Sequence, residues 1–150
     1  MAIKYVVLRG KEDVCMFKTM LVEDNTIFRE SLKDSLRHQF PAMEITETGN
    51  GEEALKRIHS LSPNLIFMDI RLPGQNGLEL TEKIKKLYPE IVVIILTNYD
   101  LPEYREAAAR FKADHFFSKD SMTHQEVSVI VKSILSEKGF RGNGSERDGS

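Results

Sequence analysis

The sequence predicts an α/β three-layer sandwich in which five strands of one parallel sheet alternate with five helices. Three observations lead there. Short apolar runs alternate with helical stripes five times between Phe17 and Leu135. The central run, Leu65-Ile66-Phe67-Met68, is unbroken, as a strand covered on both faces requires. Four of the runs end in polar residues, Glu23-Asp24, Asp69, Thr97 and Lys119, which a parallel sheet gathers on one edge.

Each element has its own signal. Phe17 to Val22 reads as the first strand. Asn25 or Thr26 can cap the next helix, whose Phe28, Leu32, Leu36 and Phe40 recur every fourth residue. Phe40-Pro41 ends it. Glu44 to Thr48 alternates polar and apolar, as a less buried strand near a sheet edge does. Asn50 caps a short helix that buries Ala54, Leu55 and Ile58. Pro63 and Pro73-Gly74 bound the central strand, and Leu80, Ile84 and Leu87 mark a third helical stripe. Ile91 to Leu96 is the most apolar strand, followed by Thr97. Pro102 suits the first turn of a fourth helix with Tyr104, Ala107, Ala108 and Phe111 on one face. His115 to Ser118 is the last strand. The final helix carries a capping box, Thr123 to Glu126, and a stripe of Val127, Ile130, Val131, Ile134 and Leu135.

Composition excludes several classes. With 150 residues and 41% hydrophobic content, one domain with its own core is expected. A net charge of -2 leaves no basic footprint for nucleic acid or an acidic membrane surface. Cys15 is alone, which removes a disulfide framework or thiolate metal site and fits a reducing compartment. No apolar run has the length of a membrane span, and the N-terminal charges do not suit a signal peptide, so a cytoplasmic address is expected. Residues 1–16 read as an extension, residues 17–137 as the domain and residues 138–150 as a flexible polar tail. Tyr5-Val6-Val7-Leu8 fits a short added strand, and equally a leader outside the fold.

The polar strand ends carry the chemistry. Carboxylates crowded on one sheet edge repel one another and raise their pKa values unless a cation is present. An all-oxygen site without His or Cys suits a hard ion, Mg2+ above all. Asp69 can then act as a nucleophile and form an aspartyl-phosphate. Lys119 offers a point charge for one phosphoryl oxygen, and the Thr97 hydroxyl offers a hydrogen bond to another. Singly, each residue is as well explained by a helix cap or a solvated side chain. Their joint placement at successive strand ends favours a metal and phosphate site.

From Phe17 to about Leu135 the chain resembles the receiver domain of two-component response regulators, the phosphoacceptor module also found in chemotaxis. The motifs are Met20-Leu21-Val22-Glu23-Asp24-Asn25, Met68-Asp69-Ile70-Arg71-Leu72-Pro73-Gly74, Ile95-Leu96-Thr97 and Phe116-Phe117-Ser118-Lys119. The resemblance implies a flavodoxin-like strand order, 2-1-3-4-5, with the site at its switch point. It implies that Asp69 accepts a phosphoryl group from a sensor histidine kinase or phosphotransfer protein. Glu23, Asp24, Asp69 and the Arg71 backbone carbonyl would hold Mg2+, and Thr97 and Lys119 would bind the phosphoryl group. Phe116 would match the family's rotating aromatic switch; a packed core ring is the plainer reading. A downstream protein target or output domain would read the switched face. Direct nucleic-acid and membrane binding are not expected, and a phosphorylation-dependent homodimer stays open.

Three departures stand against the family pattern. Lys112 occupies a helix end usually held by glycine, and a left-handed backbone there would cost ~1–2 kcal/mol. Asn98 follows Thr97 where a small residue is usual, which would narrow access to Asp69. The residues after the last stripe carry neither a helix-turn-helix pattern nor a basic helix, so an output domain is not expected within these 150 residues. The alternative function is a receiver-like interaction module that is not phosphorylated. A phosphatase of similar fold would carry a second acid where Arg71 stands, and a flavin site would be repelled by Glu23-Asp24.

Overall fold

The computed structural model describes residues 16–140, so the reading of residues 5–8 lies outside it. Five strands form one sheet: β1 (Lys18–Val22), β2 (Glu44–Thr48), β3 (Leu65–Asp69), β4 (Val92–Thr97) and β5 (His115–Ser118). Their order is β2-β1-β3-β4-β5, the flavodoxin-like order expected. The helices are α1 (Thr26–Gln39), α2 (Gly51–Leu61), α3 (Gly77–Leu87), α4 (Pro102–Arg110) and α5 (His124–Glu137). All five residues of β3 are buried, so neither face of that strand meets solvent.

The register is what assembles the site. Val22 pairs with Met68, Asp69 with Leu96, and Thr97 with Ser118, all in parallel. Glu23, one residue past a paired position, therefore falls into one row with Asp69 and Leu96, while Thr97 lies one residue and Lys119 two residues further along the same sheet edge. Sequence spacing alone could not guarantee this, because a one-residue slip would turn every side chain to the other face.

The chain folds as two compact units. In the unit formed by Lys18–Glu30 and Ile45–Met122, one cluster joins Met20, Val22, Ile66, Met68, Val93 and Ile95 of the sheet to Ala54 and Ile58 of α2, Leu80 and Ile84 of α3, and Ala108 of α4. In the other unit Leu32, Leu36 and Phe40 are buried, as are Val127, Val131, Ile134 and Leu135. There Phe17 meets Phe140 edge-on, with ring centroids 5.2 Å apart. Of the expected polar tail, Lys138 to Phe140 complete the end of α5, and residues 141–150 lie outside the description.

The helix starts follow side-chain chemistry. Asn25 accepts the Phe28 N–H at 3.0 Å, and Asn50 accepts that of Glu53 at 3.0 Å. The Thr123–Glu126 capping box is formed in both directions. One stripe needs correction: Leu87 is 66% exposed, and α3 buries Leu78, Leu80, Thr81 and Ile84 instead. Leu87 is the last residue of that helix, where the periodic stripe has run past the core. A two-residue antiparallel ladder, Arg71–Leu72 against Gln75–Asn76, also follows β3.

The ends of α4 and α5 use the same closing motif with different residues. Gly139 has φ +84, and bonds run from Gly139 N–H to Ser136 and from Phe140 N–H to Leu135. At α4 Lys112 has φ +70, with Lys112 N–H on Ala109 and Ala113 N–H on Ala108. This is the Schellman arrangement, which glycine adopts without strain. Lys112→Gly is expected to stabilise the protein by about 0.5–1 kcal/mol. It relieves ~1–2 kcal/mol of backbone strain and gives back part of that as added freedom of the unfolded chain. A urea unfolding midpoint that falls in this variant would contradict the strained reading.

Candidate functional site

One ligating oxygen from each of Glu23, Asp24 and Asp69 lies within 4.8 Å of the others. Glu23 and Asp69 are buried and Asp24 is exposed, so the cluster sits at the rim of the sheet edge with one side open. Lys119 is the cation among them. Its Nζ lies 2.5 Å from Glu23 Oε1 and 3.4 Å from Asp69 Oδ1, with its side chain only 6% exposed. The Phe28 ring, 4.7 Å from Nζ, packs against the ammonium from α1.

The electrostatic balance is incomplete. Three carboxylates against one ammonium leave two negative charges in a mostly buried place. Burial pushes the Asp69 carboxyl up to about 6, Glu23 adds to the rise, and Lys119 opposes it. Glu23 Oε2 accepts the Asn25 N–H at 2.9 Å, whereas buried Oε1 has no hydrogen bond and contacts Lys119 only as an ion pair. Hard oxygen donors and two uncompensated charges fit a hard divalent cation such as Mg2+.

The remaining expected residues are Thr97, Arg71 and Phe116, each with partners of its own. Thr97 is buried, and its Oγ1 accepts the Tyr99 N–H at 2.9 Å. That bond occupies the oxygen as acceptor and leaves the hydroxyl proton free to be donated. The backbone N–H of Lys119 is held by the Thr97 carbonyl at 2.8 Å, fixing the two residues to each other. The Arg71 side chain turns away from the acids. It stacks on Tyr99 at 4.0 Å and donates to the Tyr104 hydroxyl at 3.3 Å. Phe116, opposite Ile95 in the sheet, is half-buried beneath the Arg105 guanidinium, 4.6 Å from its ring. Arg105 in turn grips Asp100 through two hydrogen bonds, of 2.5 and 2.9 Å. Phe116 is thus neither sealed in the core nor free.

Sequence reasoning missed two contributors. Arg29 of α1 donates to the Glu23 carbonyl at 2.5 Å and pairs with Glu47 at 3.1 Å. Its only sequence signal was a basic residue in the second turn of the helix after the acidic pair. Gly77 opens α3 directly against the backbone of Asp69, where an added Cβ would lie 1.9 Å from the carbonyl oxygen. In the structure Asn76 caps that helix, accepting the Leu78 N–H at 2.7 Å, and nothing in the sequence marked the close approach.

The fold and this edge define a class of signalling receiver. The structure is similar to that of a CheY-like response regulator receiver domain from Methanospirillum hungatei, with TM-score 0.76 and 27% identity over 83% of this chain and 97% of that one. It is also similar to a LuxR-family DNA-binding response regulator from Staphylococcus aureus, with TM-score 0.73 and 28% identity over 79% and 98% of the two chains. By sequence it is 30% identical over 125 residues to the response regulator protein VraR of Staphylococcus saprophyticus, covering 82% of this chain and 59% of that protein. It is 30% identical over 120 residues to the transcriptional regulatory protein LnrK of Bacillus subtilis, covering 80% and 53%. The chain thus spans little more than half the length of these relatives. Residues 19–132 match the response regulator receiver domain model, and the chain belongs to that family. Among the described residues, no helix is long and apolar enough to cross a membrane.

Proposed function

We propose that this chain is a phosphoacceptor in two-component signalling, with Asp69 receiving a phosphoryl group from a histidine kinase or phosphotransfer protein in the cytoplasm. The observation that carries this is the cluster of Glu23, Asp24 and Asp69 oxygens within 4.8 Å, with Lys119 reaching both buried acids. Glu23, Asp24, Asp69 and the Arg71 carbonyl would hold Mg2+, which would neutralise the acids and the incoming phosphoryl charge. A carboxylate oxygen of Asp69 attacks phosphorus in line. The bond from phosphorus to the donor's nitrogen or oxygen breaks, and its electron pair leaves with the donor. Lys119 exchanges part of its ion pair with Asp69 for a phosphoryl oxygen. Thr97 donates its free hydroxyl proton to another.

The same exchange would supply a switch. Drawing Thr97 toward the phosphoryl group pulls on the Tyr99 N–H and the loop that carries Asp100. Arg105, anchored on Asp100, would then move over Phe116. The phosphoryl group shifts the balance of packings only as far as it interacts better with one of them. A downstream protein target, an output domain or a second copy would read the altered face. The VraR and LuxR-family relatives are named as response regulators, and an output of that kind is a proposal for this chain.

Intact-mass spectrometry after incubation with acetyl phosphate tests the reading. A single phosphoryl adduct is expected that requires both Mg2+ and Asp69 and is absent in Asp69→Asn. Undiminished labelling of Asp69→Asn, or no adduct on a folded wild type, would overturn it in favour of an interaction module that is not phosphorylated.

A further inference from the structure

Asp24 is the least restrained of the three clustered acids. It is exposed, and among the described residues its side chain makes no hydrogen bond. Glu23, by contrast, is buried and tied through Oε2 to Asn25. An exposed carboxylate can be pre-organised for a metal only through its backbone. The backbone of Glu23 is held on both sides, and the peptide joining it to Asp24 is held through its carbonyl. The Glu23 N–H bonds to the Thr48 carbonyl at 2.9 Å, and the Glu23 carbonyl accepts Arg29 Nη1 at 2.5 Å. Arg29 is itself fixed, because its Nε meets Glu47 Oε1 of β2 at 3.1 Å, with the two side chains 19% and 26% exposed. Gly49 closes the packing: a Cβ there would lie 3.3 Å from both the Asp24 Cα and Arg29 Nη1.

We infer that Arg29, locked by Glu47, is a positioning residue for the metal corner: through the Glu23 carbonyl it sets the direction in which Asp24 presents its carboxylate. This rests on the phosphoacceptor reading for the identity of the ion. The guanidinium touches no carboxylate of the cluster in this arrangement and acts through one peptide plane. Partners of this outer kind commonly change metal affinity 10–100-fold when removed.

Simple electrostatics and positioning predict opposite signs here. Arg29 is a cation beside a cation site, so its removal should tighten Mg2+ if charge repulsion dominates. If it positions Asp24, removal must weaken Mg2+. Mg2+ titrations followed by amide NMR on wild type, Arg29→Ala, Arg29→Lys and Glu47→Gln separate the two. The expected result is about a tenfold weaker Kd for Arg29→Ala. Arg29→Lys, which keeps the charge and one donor for the carbonyl, should recover part of it. Glu47→Gln should weaken binding about two- to threefold. Equal or tighter binding in Arg29→Ala would overturn the inference. The metal-free spectra give a readout independent of the ion. Arg29→Ala and Arg29→Lys are expected to lower the order of the Glu23, Asp24 and Asn25 amides on the ps–ns scale, the lysine variant by less. Unchanged amide order would overturn the positioning role even if Mg2+ affinity fell. A wild type that binds no Mg2+ at millimolar metal would instead sink the phosphoacceptor reading, while the amide order still decides whether Arg29 fixes this peptide.

Discussion

Gly77→Ala is expected to destabilise the protein by about 3 kcal/mol or more and to abolish phosphoryl labelling in whatever fraction still folds. The added Cβ would stand 1.9 Å from the Asp69 carbonyl oxygen and 2.9 Å from its carbonyl carbon. Both are backbone atoms of the buried end of β3, so no side-chain rotation can relieve the overlap. Overpacking against a movable neighbour costs roughly 1–3 kcal/mol, and a rigid one lies at or above the top of that range. The relief that remains is to move α3 away from Asp69. That breaks the Gly77 N–H bond to the Ile70 carbonyl, 2.7 Å long, and tilts the strand end that carries the phosphoacceptor. Urea unfolding with acetyl phosphate labelling at low temperature measures both effects. A variant that unfolds within a few tenths of a kcal/mol of wild type would mean that the α3 start is not held against β3 as the structure has it.

Gly77 also shows where the sequence stops being readable. The strand ends were legible because burial on both faces forces β3 to be continuously apolar, which makes the acid at its end conspicuous. Asp69, Thr97 and Lys119 needed only strand order and a common direction. The need for glycine at position 77 comes instead from a backbone atom eight residues earlier, brought close by the short ladder of Arg71–Leu72 with Gln75–Asn76. No local pattern encodes such an approach. Arg29 was hidden for a similar reason: it lies on α1 and its partner Glu47 on β2, and both look like ordinary charged surface residues in sequence. Leu87 failed in the opposite direction, because periodicity continues to the last helical residue whether or not the core does. Lys112 was the exception among long-range features. A missing glycine at a helix end is a local signal, and its positive φ follows from the way α4 stops. Phe116 could not be placed as core or switch from its type alone. The Arg105 guanidinium over its ring, with Asp100 behind, is a tertiary arrangement that has to be seen.

Lys119→Met is expected to cost about 3–5 kcal/mol at neutral pH and low salt, because it removes the one ammonium from between two buried carboxylates. Methionine keeps most of the volume, so the loss is chiefly electrostatic, and its pH dependence identifies it. In the wild type Asp69 already titrates near 6, above its ordinary value of 3.8. A raised folded-state pKa means that the native protein binds more protons than the unfolded chain between those two values. Stability therefore falls as pH rises through this window, and the Asp69 penalty is complete above about 6 and absent below about 3.8. Lys119 is the group that opposes the rise, so without it the Asp69 pKa moves higher still and the penalty at neutral pH grows. Acidification from pH 7.5 toward pH 5 should recover much of the lost stability in Lys119→Met. Excess Mg2+ should recover part of it at neutral pH by supplying positive charge to the same oxygens, through binding that favours the folded state. Phosphoryl labelling should stay low in every condition, since a metal restores charge balance but not the cation aimed at the phosphoryl oxygen; a loss on the order of 100-fold in rate is expected. Urea midpoints at the two pH values, with and without Mg2+, measure the balance. Equal destabilisation at pH 5 and pH 7.5 would show that Lys119 stabilises by packing against Phe28 rather than by neutralising Glu23 and Asp69.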